Sequence, residues 1–368
     1  MVGALDGLVV ADFSRVLAGP YATMMFADLG ATVIKVERPG SGDDTRSWGP
    51  PYDADGVATY FGAVNRNKES VAIDLGTDDG RDRARELIDG ADIVVENFRA
   101  GTMERLGLGY DSLRERHPDL IYCSITGFGR AGGAHMPGYD LLLQAVGGMM
   151  SITGTDPDTP VKVGVAVVDV LAGLHASVGI LAALRHRDVT GEGQRVDVDL
   201  LSVSLSSLVN QASGYLGAGK VPEAMGNRHP SVAPYQVLAT ADRPIALAVG
   251  NDGQFGKLLE AIGRDDLIGD DRFTTNSARV GRREELAAEI EKSLRTAGAD
   301  HWYRVLTDAG VPAGPINDVA EAFELADSLG IPATAQIPGS STPTTTNPIR
   351  LSRTPVSYRT APPPMPES

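Results

Sequence analysis

Cysteine is almost missing: Cys123 stands alone among 368 residues. One thiol excludes an internal disulfide framework and any cysteine-rich zinc site, and it suits a reducing cytoplasm. Long apolar runs are lacking too. Gly, Asp or Arg interrupts each candidate before the roughly 18 residues that a membrane span needs. The opening stretch MVGALDGLVVADF has no basic segment ahead of its apolar part, and Asp6 and Asp12 flank that part, so no signal peptide is expected. Positive charge is scarce: 33 Lys plus Arg stand against 48 Asp plus Glu, a net charge of -15. Such a chain is a poor generic partner for nucleic acid or an anionic membrane. An anionic ligand would need a local basic pocket. Arg38, Arg66, Lys68, Arg99 and Arg105 are the candidates, although a surface arginine taken singly is usually just solvated.

What is present reads as α/β. Leu8–Phe13 is a short apolar strand, followed by the loop SRVLAGP, a helix over Tyr21–Leu29 ended by Gly30, and a second strand over Ala31–Glu37. That βαβ unit predicts a parallel sheet. Ser70–Asp74, Ile93–Glu96 and Leu120–Ile125 read as further strands, with helices over Gly80–Ile88 and Tyr110–Arg116. The expected fold is a doubly wound, Rossmann-like domain. Its first loop holds only Gly19, so G-x-G-x-x-G is absent and a nicotinamide-dependent oxidoreductase is disfavoured.

The middle of the chain carries the chemistry. Val161–Val168 alternates and is rich in β-branched residues, which predicts a strand. Asp169 follows, then an apolar helix through about Arg187 whose Val170, Leu171, Leu174, Val178 and Leu181 imply burial on nearly every side. A carboxylate where a buried strand becomes a buried helix is costly without hydrogen bonds. Asp is also a preferred helix cap, so on spacing alone a cap and a catalytic group both stay open.

A further set of segments runs in order along the chain. It includes LDGLVVADFSRVLAGP at 5–20, DLGATVIKVERPGSGD at 28–43, NRNKESVAIDL at 65–75 and VVENFRAGTMERLGLGYDSL at 94–113. GYDLLLQAVGG at 138–148, VGVAVVDVLAGLHA at 163–176, GEGQRVDVDL at 191–200, GNRHPSVAPYQ at 226–236 and GVPAGPINDVAEAF at 310–323 complete it. This set resembles the class III CoA-transferases, the family that contains formyl-CoA:oxalate and carnitine CoA-transferases and the α-methylacyl-CoA racemases. The resemblance implies that Asp169 is a nucleophile which carries acyl anhydride and CoA thioester intermediates. Coenzyme A or acyl-CoA would be a substrate, a carboxylic acid the second one, and no metal or permanently bound cofactor would be required.

The same resemblance assigns CoA contacts to Val16, Leu17 and Ala18, to Arg38 and Arg105 at the phosphates, and to Ile73 and Leu75 at the adenine side. Asn97 and Phe98 of the NF motif, the neighbouring Arg99, and Tyr139 and Asp140 of the GYD motif join them. Asn227, Arg228 and His229 become candidate contacts of the acyl acid, with Arg228 suited to clamp a second carboxylate. A histidine beside proline is also an ordinary turn residue. His175 reads as structural. Leu17 replaces a glutamine, and Gly76 and Pro137 replace lysines, which argues against oxalate or formate chemistry. The racemases place a histidine where Tyr139 stands. A phenol with a pKa near ~10 is a poor base at neutral pH, so α-methylacyl-CoA racemase or epimerase activity is the alternative reading.

Organisation follows from both lines. Residues 1–200 are expected to form the large CoA-binding domain, 201–225 a linker, 226–325 a smaller α+β domain, and 326–368 a segment returning to the large domain. NPIRLSRTPVSY should be ordered and the final PPPMPES loose. The resemblance also implies an interlocked homodimer.

Overall fold

The computed structural model describes residues 2–367. Chain contacts divide them into two compact units: residues 2–150, 162–222 and 332–367, and residues 151–161 with 223–331. Residues 151–161 therefore belong with the second unit, although the sequence reading set them inside 1–200.

In the first unit, β1 (Val9–Asp12), α1 (Ala18–Asp28), β2 (Thr32–Glu37), α2 (Thr59–Gly62), β3 (Lys68–Ala72), α3 (Asp78–Asp89) and β4 (Ile93–Glu96) come first. Next are α4 (Thr102–Arg105), α5 (Tyr110–Leu113), β5 (Ile121–Thr126), α6 (Asp140–Val146), α7 (Val167–Thr190), β6 (Arg195–Asp199), α8 (Leu200–Ser207) and α9 (Val209–Ala218). The strands pair in the order β3-β2-β1-β4-β5-β6, all parallel. The chain is thus an α/β protein. Continuous apolar runs in β1, β4 and β5 fit strands covered on both faces. The strand order reverses between β1 and β4, and their following loops lie side by side at the carboxyl edge, where open α/β sheets bind ligands.

Helix α7 packs against α1 and over β5 and β6, burying Val168, Ala172, Ala176, Ile180 and Ala183. Three expectations change here. Val161–Val168 forms no strand; residues 161–166 are irregular and α7 begins at Val167. The helix is not buried all round either, since Val178 and Leu181 are exposed. By length and composition α7 is also apolar enough to cross a membrane, which the broken-run reading had excluded. In the structure it is the core helix of the unit.

The carboxyl-terminal segment packs within the first unit. Asp28, fully buried, accepts two bonds from the Arg66 guanidinium at 3.0 and 2.7 Å and one from Asn347 Nδ2 at 3.1 Å. Arg359 donates to the carbonyls of Ala27 and Ala31. The expected looseness of PPPMPES is not seen as far as Pro364: Arg46 donates to the carbonyls of Pro363 and Pro364. That guanidinium is fixed by Glu37 and lies 3.8 Å from the Phe61 ring centroid, so it offers its remaining donors in one direction. Ser368 is outside the described residues.

The second unit has an antiparallel sheet of β7 (Tyr235–Leu238), β8 (Ile245–Ala248) and β9 (Ala313–Pro315). With it come α10 (Asp252–Ala261), α11 (Asn276–Gly281), α12 (Arg283–Leu294), α13 (Ala299–Asp308) and α14 (Val319–Ser328). Its core gathers Leu247, Leu258, Phe273, Ile290, Trp302 and Leu306.

Candidate active site

Three clefts run together along the carboxyl edge of the parallel sheet. The middle one, about 370 Å³, is lined by Arg15, Val16, Leu17, Ala18, Asn97, Phe98, Arg99, Tyr139 and Asp169. Phe98 and Arg15 carry it into a second cleft of about 350 Å³, formed with Arg38, Ile73, Leu75 and Gly76. On the other side, Val16, Leu17, Tyr139 and Asp169 also border a more apolar cleft of about 540 Å³, walled by Trp48, Tyr60, Asp140, Val165 and Val170. Asp169 therefore sits where a polar and an apolar cleft meet.

Asp169 occupies the first turn of α7 but does not cap it. Ala166 holds the cap position and has no polar side chain to offer. The carboxylate of Asp140 does the work from α6: its Oδ1 accepts the N–H groups of Val168 at 2.8 Å and Asp169 at 3.3 Å. Its Oδ2 accepts from Gln144 Nε2 at 2.6 Å, and Gln144 Oε1 accepts from the Val163 N–H at 2.8 Å. The capping role left open by the sequence thus falls to Asp140. Among the described residues, the Asp169 carboxylate accepts no hydrogen bond. Burial, and then the negative charge of Asp140, push its pKa up to about 7. Tyr60 responds to the same charges: burial first, then Asp169 and Asp140, raise its phenol.

Glycines allow this approach. A Cβ on Gly173 would lie 2.6 Å from the Ala18 carbonyl oxygen, so only glycine lets α7 meet the start of α1. A Cβ on Gly127 would lie 2.7 Å from Gly138 Cα, which brings the GYD turn against the end of β5.

The proposed CoA contacts divide into groups. Val16, Leu17, Ala18, Asn97, Phe98, Arg99 and Tyr139 line the middle cleft, Arg38, Ile73 and Leu75 the second, and Asp140 the apolar one. Arg105 lines none of the three; it is exposed and donates to Thr102 Oγ1 at 3.1 Å. Asn97 lines the cleft, yet its amide is engaged by the Arg15 backbone, accepting from its N–H at 2.8 Å and donating to its carbonyl at 2.7 Å. Two basic candidates are unavailable to a ligand. Arg66 is buried on Asp28, and Lys68 is buried with its Nζ 3.2 Å from Asp12.

The sequence reading passed over Arg15, Trp48 and Tyr60. Arg15 had a signal: it lies in the first strand's loop, and its guanidinium carbon stands 4.8 Å from the Phe98 ring centroid. Glu96, at the end of β4, is nearly inaccessible and is pushed up to about 7, chiefly by burial; its Oε2 accepts the Phe98 N–H at 2.9 Å.

In the second unit, Asn227 and Arg228 line a cleft of about 500 Å³ with Gln236 and Glu284, and Arg228 pairs with Glu284 at 2.9 Å. His229 accepts from the Ser231 N–H through Nδ1 at 3.1 Å and leans on Tyr235, a turn residue with an occupied ring. His175 is exposed, with Nδ1 2.8 Å from the Leu171 carbonyl.

The family model for CoA-transferase family III matches residues 5–367. The chain belongs to that family. A succinate–glutarate CoA-transferase of Agrobacterium fabrum is 45% identical over 365 residues, covering 96% of this chain and 91% of the relative. A succinyl-CoA:mesaconate CoA-transferase of Haloarcula hispanica is 44% identical, covering 88% and 83%. Among solved structures, a CAIB/BAIF family protein from Brucella suis superimposes with a TM-score of 0.88 at 44% identity, covering 100% of this chain and 97% of that one. This family III member is an enzyme of the CoA-transferase type, with CoA thioesters as substrates.

Proposed function

We propose that this CoA-transferase moves coenzyme A from an acyl-CoA donor to a carboxylic acid through covalent intermediates on Asp169. The carrying observation is that carboxylate: half-buried, without a hydrogen-bond donor among the described residues, at the junction of a polar and an apolar cleft. An Asp169 oxygen attacks the thioester carbonyl, the C–S bond breaks, and CoA leaves as thiolate from a mixed anhydride. The thiolate then attacks the Asp169 carbonyl, releasing the donor acid and leaving an aspartyl-CoA thioester. The acceptor carboxylate attacks that thioester, and the freed thiolate takes the acceptor's acyl group, restoring Asp169. No net proton is consumed, and each difficult exchange is split into easier ones. The first turn of α1, which no side chain caps, offers backbone N–H groups and positive potential to the developing oxyanions.

CoA lies along the middle and second clefts in this reading, its phosphates near Arg15, Arg38 and Arg99, with the acyl portion in the apolar cleft. Succinyl-CoA is the proposed donor and a short dicarboxylic acid the acceptor, on the strength of what the relatives are named for. A homodimer is proposed as well, supported by exposed apolar residues on α7, α8 and α9, among them Val178, Leu181, Leu205, Val209 and Leu216. A cytoplasmic location belongs to the same reading.

The test is Asp169→Asn with succinyl-CoA and glutarate, together with mass spectrometry of the wild-type peptide containing Asp169. Transfer should fall by about 10³-fold or more, and a CoA adduct should appear on that peptide alone. Substantial transfer by D169N, or an adduct elsewhere, would end the proposal.

A further inference from the structure

Val16 has a backbone φ of +68°, in the left-handed region. For a β-branched residue this conformation is a true outlier, and it persists only where the surroundings impose it. The surroundings here are specific. Both oxygens of Asp43 face the Val16 N–H, at 3.2 and 3.4 Å. Lys35 Nζ lies 2.9 Å from Asp43, both side chains being fully buried, and it also donates to the Ser14 carbonyl at 2.8 Å. The Thr45 N–H and hydroxyl donate to Asp43 Oδ1 at 2.9 and 2.8 Å. Between these grips, Asn97 holds both backbone groups of Arg15. Three consecutive residues of the loop after β1 are therefore fixed by side chains from β2, from the loop after it, and from the loop after β4.

We propose that the buried Lys35–Asp43 pair is a positioning device for transfer, holding Val16 left-handed so that Leu17 and Ala18 present the start of α1 to Asp169. The inference rests on the reading of Asp169 as nucleophile. Burying two charges is rarely the cheapest way to stabilise a core, because a well-packed apolar pair often does as well or better. Asp43 of this pair supplies the acceptor that the N–H of Val16, a cleft residue with left-handed backbone, needs. Burial alone would raise the Asp43 carboxyl; the charge and hydrogen bond of Lys35, with those of Thr45, outweigh it and hold the group ionised. A neutral amide at position 43 would turn a donor toward the Val16 N–H or lose Thr45. Either way Val16 is free to relax.

The experiment is a double-mutant cycle between Asp43→Asn and Val16→Gly. Glycine adopts positive φ without the Cβ penalty, so the loop then needs the carboxylate far less. The readouts are the single-turnover rate of aspartyl-CoA formation from succinyl-CoA and the binding of CoA by titration calorimetry. D43N should slow adduct formation by about 30-fold in the wild-type background, and by no more than about threefold when V16G is also present. The same loss in both backgrounds overturns the proposal. Where D43N alone does not fold, K35M/D43N, which leaves no buried charge unpaired, takes its place in the same cycle. Failure of the parent reading looks different: D169N would then keep its transfer, or the adduct would lie on another residue, whatever the cycle shows.

Discussion

The carboxylate of Asp140 accepts the backbone N–H of Asp169 at 3.3 Å while its charge, second to burial, raises the pKa of the Asp169 side chain. One residue thus orders the start of α7 and tunes the group that the helix presents. Its own hydrogen bonds from Val168 and Gln144 keep it in place. An attacking carboxylate must be ionised, yet one that is too well solvated or paired is a weak nucleophile. A pKa of about 7 balances those demands near neutral pH.

Asp140→Asn should therefore move the pH dependence of transfer. The amide oxygen can still accept from Val168, so the helix start is kept, but the like charge is gone. Asp169 then ionises at lower pH, and the acid limb of the kcat/KM profile for succinyl-CoA should shift down by about half a unit to one unit. Because burial is the larger cause, the limb should not reach the range of an exposed aspartate. A limb unchanged in position would show that Asp140 acts only as a cap.

Asp169→Asn carries a stability prediction independent of chemistry. In the folded chain Asp169 ionises near pH 7, in the unfolded chain near 3.8. Ionisation therefore favours the unfolded state, with a cost that begins near pH 4, grows to pH 7 and is full above it. D169N removes that cost. Its midpoint in urea at pH 8 should exceed wild type by an amount equivalent to about 1–3 kcal/mol, allowing for the solvent that reaches a half-buried group. At pH 4 the two should unfold together. A gain of equal size at both pH values would place its origin elsewhere.

These features differ in how far the sequence exposed them. β1, β2 and β4 were legible because buried parallel strands are short runs of β-branched residues, and the carboxyl edge of such strands is where ligands bind. Asp169 was legible as a costly carboxylate at a helix start. The alternation of Val161–Val168 misled, because Val161 and Val165 are exposed and Gly164 sits in an irregular stretch instead of a ladder. The fates of Arg66 and Lys68 lay in partners 38 and 56 residues away, Asp28 and Asp12, which no local pattern shows. The proline-rich end read as loose because its anchor, Arg46, lies 317 residues before Pro363.

Asp28, the last residue of α1, binds the carboxyl-terminal segment to that helix. It holds Arg66 and Asn347 through its side chain, and its carbonyl accepts the Ser357 N–H at 2.9 Å. Asp28→Ala would leave the Arg66 guanidinium buried without its counter-charge, a change that typically costs about 3–5 kcal/mol. The urea midpoint should fall accordingly, and limited proteolysis should cut the segment after Asn347 faster than in wild type. A stable variant with an unchanged digestion pattern would show that Arg359 and Arg46 suffice as anchors.

Gly173 links packing to chemistry most directly. The Cβ of Gly173→Ala would stand 2.6 Å from the Ala18 carbonyl oxygen and 3.2 Å from the Tyr21 ring. Neither neighbour is a flexible side-chain end, since one is backbone and the other is seated on α1. Relief requires α7 to move away from α1, and Asp169, one turn earlier, moves with it. Overpacking of this kind costs about 1–3 kcal/mol in stability. The loss of transfer should be larger in proportion, because a nucleophile displaced by about 1 Å can cost about 10²-fold in rate. Thermal unfolding measured beside single-turnover adduct formation separates the two effects. G173A with a lowered melting point and wild-type adduct formation would mean that the close approach of α7 to α1 serves the fold without setting the position of Asp169.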